Sequence, residues 1–202
     1  YRETDPLGGH DPYSASKACA ELAVASYRAS FLNADDGRGH RVLIASARAG
    51  NVIGGGDWAA DRLVPDLVRG ALAGVPVPIR FPDAVRPWQH VLEPLGGYLM
   101  LGERLLAGEA QCAQAWNFGP APGDAWPVRR VVEAFARAWP QARASLRPDQ
   151  ANPHEAAALR LDCSKADLEL GWQPVWSLDQ ALARTARWYR GWHGGGEVAS
   201  MD

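Results

Sequence analysis

The chain has 202 residues, 47% hydrophobic and 22% charged, the balance of a folded globular protein, which excludes intrinsic disorder and collagen-like repeats. Its 21 basic and 23 acidic residues leave a formal net charge of −2, and no basic block favours nucleic acid or an anionic membrane as a partner. No apolar run approaches the ~18 residues of a transmembrane helix.

Three cysteines, Cys19, Cys112 and Cys163, lack CxxC spacing, which argues against a disulfide scaffold or a metal site and suits a reducing cytoplasm. Of the basic residues 19 are Arg and only two, Lys17 and Lys165, are Lys.

Residues 1–11 read as a polar loop rich in Gly and Pro. Asp11 as N-cap with Pro12 in the first turn predicts a helix running to about Phe31. Arg41 to Arg48 carries the apolar run VLIASA, expected as a parallel strand buried on both faces. AGNVIGGGDW holds four glycines in ten residues and predicts a loop that bends sharply or approaches a ligand closely.

Leu63 to Ala73 is patterned as an amphipathic helix ended by Gly74, followed by a short strand over Val75 to Arg80. Further strands are expected at Arg86 to Val91 and Ala115 to Phe118, with an extended stretch at Arg160 to Asp162. Helices are expected at Pro94 to Leu106, Val128 to Trp139, Lys165 to Leu170 (stopped by Gly171) and Leu178 to Trp192. Alternating helices and strands make the class α/β, with a smaller mixed region after about residue 60.

Tyr13 and Lys17 form Y-x-x-x-K, which a helix sets on one face a turn apart. An ammonium beside a phenol favours the phenolate, and such a tyrosine can take a proton from a sugar hydroxyl. From these residues alone, a packed tyrosine beside a solvated lysine is the other reading. GNVIGGGDW is no dinucleotide fingerprint, because it lacks G-x-G-x-x-G running directly into a helix and an acid about 20 residues on.

The context of the pair carries more. DPYSASKACAE resembles the active-site helix of the extended, nucleotide-sugar branch of the short-chain dehydrogenase/reductase superfamily. RAGNVIGGGDWAADRLVPD (48–66), RPWQHVLEPLGGYL (86–99), WNFGP (116–120), NPHEA (153–157) and LDCSKADLELGWQP (161–174) are similar to the CDP-glucose 4,6-dehydratase family. The likeness runs from about Tyr1 to Trp192.

That resemblance implies NAD as cofactor and conversion of CDP-glucose to CDP-4-keto-6-deoxyglucose by C4 oxidation, water elimination and hydride return to C6. Tyr13 is then the base, and Lys17 holds the nicotinamide ribose. Val52 meets the nicotinamide end, so Tyr13, Lys17 and Val52 form the cofactor contacts. Asn51, Arg62, Leu63, Arg86, Asn117 and His154 take the nucleotide sugar, with Arg86 on the diphosphate, where a guanidinium fork matches phosphate oxygens.

Residue by residue, blander roles stay open: a turn residue for Asn51, surface charges for Arg62 and Arg86, a surface histidine for His154. His90 serves equally as a pocket or a core residue, and Trp58 is the tryptophan expected to reach ligand. No metal is expected.

The resemblance also implies a fold and its parts. Residues 1–60 correspond to the C-terminal portion of a Rossmann-like NAD-binding domain. Residues 61–193 are mainly the nucleotide-sugar-binding region with interleaved Rossmann elements, and 194–202 are expected as a disordered tail.

The glycine-rich NAD turn and the acid–base pair for water elimination have no counterpart here, so the chain reads as a fragment of an enzyme expected to be a homodimer. Two alternatives remain: another nucleotide-sugar dehydratase or epimerase, and a non-catalytic truncated protein that binds nucleotide sugar.

Overall fold

The first helix begins where its backbone donors find a partner. Asp11 Oδ1 accepts from the N–H groups of Tyr13 (2.9 Å) and Ser14 (3.0 Å), and Ser14 answers through its hydroxyl in a capping box. Such a cap satisfies donors that a helix end otherwise leaves unpaired. With Pro12 in the first turn, α1 spans Pro12–Phe31, as the sequence predicts.

The computed structural model describes residues 1–32, 42–146 and 157–196. These fall into two compact units that interleave along the chain: residues 1–49, 94–118 and 161–173 in the first, and 50–93, 119–160 and 174–202 in the second.

In the first unit α1 accompanies a two-stranded parallel sheet. Strand β1 (Ser46–Ala49) pairs with β5 (Ala115–Phe118), Ser46 opposite Ala115 and Ala49 opposite Phe118. The expected strand over Arg41 to Arg48 is thus shorter, starts later, and is not buried on both faces. Among the described residues β1 bonds to β5 alone, and Val42, ahead of it, is exposed. Arg41 lies outside the described residues.

The core of this unit gathers Leu101 from α3 (Leu92–Leu106), Trp116 and Phe118 from β5, and Ala166, Leu170 and Trp172. Phe118 meets Trp172 edge-on at 5.0 Å and Tyr98 at 5.5 Å, each contact worth about 0.5–1.5 kcal/mol beyond area burial. Ala166–Leu170 forms a single π turn closed by Gly171 at φ 71.

In the second unit the order is β2–β4–β6. Strand β2 (Asn51–Ile53) runs parallel to β4 (Val85–His90), which pairs antiparallel with β6 (Ala125–Pro127). The glycine-rich stretch therefore begins as a strand and becomes a loop only after Ile53, because pairing with β4 overrides the local turn signal of Asn and Gly.

A second pair, β3 (Val77–Ile79) with β7 (Ala144–Leu146), is parallel. Helices α2 (Leu63–Ala73), α4 (Val128–Ala138) and α5 (Leu178–His193) contribute Leu67, Val68, Val131, Phe135, Leu182 and Tyr189 to the core. Helix α2 ends as expected, at Gly74 in the left-handed conformation, φ 70. Residues 160–162, expected as extended, form no strand. Of the expected tail, Gly194, Gly195 and Gly196 close α5 by donating to the Arg190, Trp192 and Gly191 carbonyls, and 197–202 lie outside the described residues.

Candidate active site

Capping at Asp11 puts Tyr13 in the first turn of α1 and Lys17 one turn on. The Tyr13 side chain is open to solvent at 72% exposure, and Lys17 Nζ stands 5.3 Å from its ring centroid. A phenol and an ammonium are thereby presented together, the ammonium attracted to the ring face. The Ser14 hydroxyl and N–H hold the Asp11 carboxyl below its ordinary range.

Within its unit, helix α1 buries Ala18 and makes three polar ties to the residues in and just before β1. Glu21 Oε2 accepts from Ser46 Oγ and from Arg48 Nη2, both at 2.8 Å, and Arg28 Nε donates to the Ile44 carbonyl at 3.0 Å. The Arg48 bond draws the Glu21 carboxyl below the usual glutamate range, against the upward push of burial. Sequence reasoning passed over Glu21, because a glutamate on an Ala-rich helix looks like a solvated charge.

Asn117 sits on β5, 1% exposed. Its amide donates to the carbonyls of Tyr1 and Asp162, both at 3.2 Å, and its N–H donates to Glu3 Oε1 at 2.8 Å. It thus fastens the segment leading to Tyr13, while its Oδ1 accepts no bond among the described residues. Asp162, bonded by Ser164 and then Arg2, has its carboxyl lowered to about 2.

The remaining predicted residues belong to the second unit. Asn51 pairs in register with Trp88, so it shares a sheet face with Arg86 two positions along β4. Val52 projects to the opposite face and is exposed. Arg86 is half-buried and donates to the Val85 carbonyl at 2.8 Å. Arg62 is the exposed N-cap of α2, Leu63 packs against the core, and Asp61 before them adopts φ 60. A non-glycine residue there is uncommon and marks a constrained corner. His154 lies outside the described residues.

The loop after β2 is pinned by its own aromatics. Trp58 lies edge-on to Tyr189 at 5.2 Å and against Trp192 at 4.7 Å, packing on α5 while 40% of it stays exposed. Tyr189 donates to the Asp57 carbonyl at 2.5 Å, and burial pushes its hydroxyl up to about 12, which keeps it a donor. Gly55 is required here, because a Cβ would stand 2.1 Å from the Trp188 ring.

His90 is a core residue, 4.9 Å edge-on to Trp176 and accepting the Leu92 N–H at Nδ1 (3.3 Å). Buried Glu93 accepts the Val175 and Trp176 N–H groups at 2.8 and 2.9 Å, a clamp that sequence reasoning also missed. Among the described residues no group of three or more His, Cys, Asp or Glu could hold a metal ion, and no helix is long and apolar enough to cross a membrane.

No family model matches the chain. It is similar to CDP-glucose 4,6-dehydratase of Salmonella typhimurium, 48% identical over 192 residues, covering 95% of this chain and 54% of that protein. It is also similar to dTDP-glucose 4,6-dehydratase of Streptomyces antibioticus, at 29% identity over 93% of this chain and 51% of that one. The chain therefore spans about half the length of the curated relatives it matches. Among solved structures, the NAD-bound dTDP-glucose 4,6-dehydratase of Streptomyces venezuelae superposes with a TM-score of 0.77 at 23% identity, over 98% of this chain and 56% of that one.

The chain has the fold of the matched half of that solved dehydratase. Within it, the first unit carries Tyr13, Lys17 and Asn117, and the second carries Asn51, Val52, Arg62, Leu63 and Arg86.

Proposed function

We propose that this chain is part of an NAD-dependent nucleotide-sugar 4,6-dehydratase acting on CDP-glucose. The observation that carries the reading is the exposed Tyr13 with the Lys17 ammonium 5.3 Å from its ring, in a chain 48% identical to a CDP-glucose 4,6-dehydratase.

An open phenol and an open ammonium one helical turn apart suit the ribose end of a dinucleotide: Lys17 donates to the ribose hydroxyls, and Val52 offers an apolar contact to the nicotinamide. NAD, when bound, supplies the acceptor and later the donor of hydride.

Tyr13 takes the proton of the sugar 4-hydroxyl as the C4 ketone forms, a transfer worth roughly 10²–10⁴-fold in rate. Lys17, one turn along, favours the phenolate form that accepts it. The new ketone acidifies the C5 hydrogen, so a proton leaves C5 and hydroxide leaves C6 as one water; a hydride at C6 together with a proton at C5 would then complete the 4-keto-6-deoxy sugar. Arg86 engages the diphosphate, with Asn51 on the same sheet face. Arg62 and Leu63 line the sugar side, and Asn117 and His154 lie toward the base.

In this reading the first unit belongs to the cofactor-binding domain and most of the second to the nucleotide-sugar region. The enzyme works as a cytoplasmic homodimer. Incubating the full-length protein with NAD and CDP-glucose should yield a hexose lighter by one water in the mass spectrum. Preferential turnover of dTDP- or GDP-glucose would assign it to another nucleotide-sugar enzyme, and nucleotide-sugar binding without turnover to a non-catalytic role.

A further inference from the structure

The side of α1 turned from solvent is a stripe of Ser14, Ala15, Ala18, Glu21, Val24 and Arg28, spaced by three and four as one helix face requires. Its apolar members are small, and its two long members are charged. Glu21 reaches Ser46 and Arg48 on β1, and Arg28 reaches the Ile44 carbonyl just before it.

Tyr13 and Lys17 each precede a stripe residue by one position, which is ~100° around the helix. Where they point is therefore set by how α1 is rotated about its axis, and on this face the directional contacts are the polar ones to the β1 segment. A turn of ~15° moves a side chain at the ~6 Å helix surface by about 1.5 Å. A misplacement of ~1 Å at a reacting group can cost about 10²-fold in rate.

We infer that Glu21 is a positioning residue for the Tyr13–Lys17 pair: its carboxylate, held by Ser46 and Arg48, locks the rotation of α1 against β1. The inference rests on the dehydratase reading. Glu21 touches neither substrate nor cofactor and acts through the orientation of α1. Its closeness to Arg48 makes the pair a unit, so losing either partner releases the same constraint.

The test uses the full-length protein with NAD and CDP-glucose, comparing wild type with Glu21→Ala, Arg48→Ala and the double variant. Hydrogen exchange of the amides at 13–21 is measured alongside. In Glu21→Ala, kcat should fall at least about tenfold while KM for CDP-glucose stays within about twofold, because the proposed contacts to the sugar and the diphosphate lie on β2, α2 and β4. Arg48→Ala should reproduce the loss, the double variant should be no slower than the worse single one, and α1 amides should exchange at least about tenfold faster.

Arg48→Ala keeps the comparison decisive if Glu21→Ala fails to fold. Unchanged kcat, a KM that rises in step with any loss of rate, or unaltered α1 exchange would each overturn the inference. A wild type that turns over no nucleotide hexose refutes the dehydratase reading instead, and the exchange comparison still decides whether Glu21 holds α1.

Discussion

Replacing Glu93 by Ala removes the one side chain that accepts both the Val175 and Trp176 N–H groups, at 2.8 and 2.9 Å. A hydrogen bond to a charged group contributes about 1.5–3 kcal/mol. Glu93 is 7% exposed and Val175 81%, so water can replace one acceptor more readily than the other. The sum should sit near the lower end, at about 3 kcal/mol.

With a urea slope of about 2.5 kcal/mol/M for a chain of this size, the midpoint should fall by about 1 M. Glu93→Gln keeps one acceptor oxygen and should lose about half as much. Urea unfolding followed by tryptophan fluorescence reads both variants, since Trp176 lies at the clamp. A midpoint shift below about 0.3 M for Glu93→Ala would refute the view that this carboxylate holds the start of α5 in place.

Two other outcomes follow from the geometry. Gly55→Ala drives a methyl into the Trp188 ring and should destabilise by about 1–3 kcal/mol, read in the same unfolding assay; an unchanged midpoint would mean that the loop after β2 can yield. Glu21 should contribute an acid-sensitive share of stability. Its folded carboxyl lies below the ordinary range because of the Arg48 bond, so the contribution is present above the unfolded-state value and is lost as pH falls through the folded-state value. The gap between wild type and Glu21→Gln in urea midpoint should be full at neutral pH and close as the acid range is entered, and a gap that persists to about pH 2 would contradict this.

Where local chemistry decides, the sequence was readable. Asp11 with Pro12 announced α1, Gly74 ended α2, and the apolar run AWNF became β5, because caps, breakers and short buried runs act within a few residues. Long-range pairing was not readable. VLIASA looked like a doubly buried strand, yet only its last residues pair, because burial depends on which strands flank it. Asn51–Ile53 looked like loop until β4 supplied its partner.

The candidate site divides in the same way. Tyr13 and Lys17 were visible because a helix makes their spacing meaningful. Glu21 and Glu93 were hidden because a charged letter shows nothing of the backbone or arginine that meets it in the fold. The packing of Trp58 on Tyr189 and Trp192 was hidden for a related reason, since its partners lie more than a hundred residues on.

The most direct test of the proposed chemistry is Tyr13→Phe in the full-length protein, assayed for loss of water from CDP-glucose, with nucleotide-sugar binding measured by calorimetry. The substitution removes one oxygen from an exposed side chain and leaves the cap at Asp11 intact. Turnover should fall by about 10²–10⁴-fold with binding essentially unchanged, whereas turnover within about threefold of wild type would contradict the assignment of Tyr13 as the base.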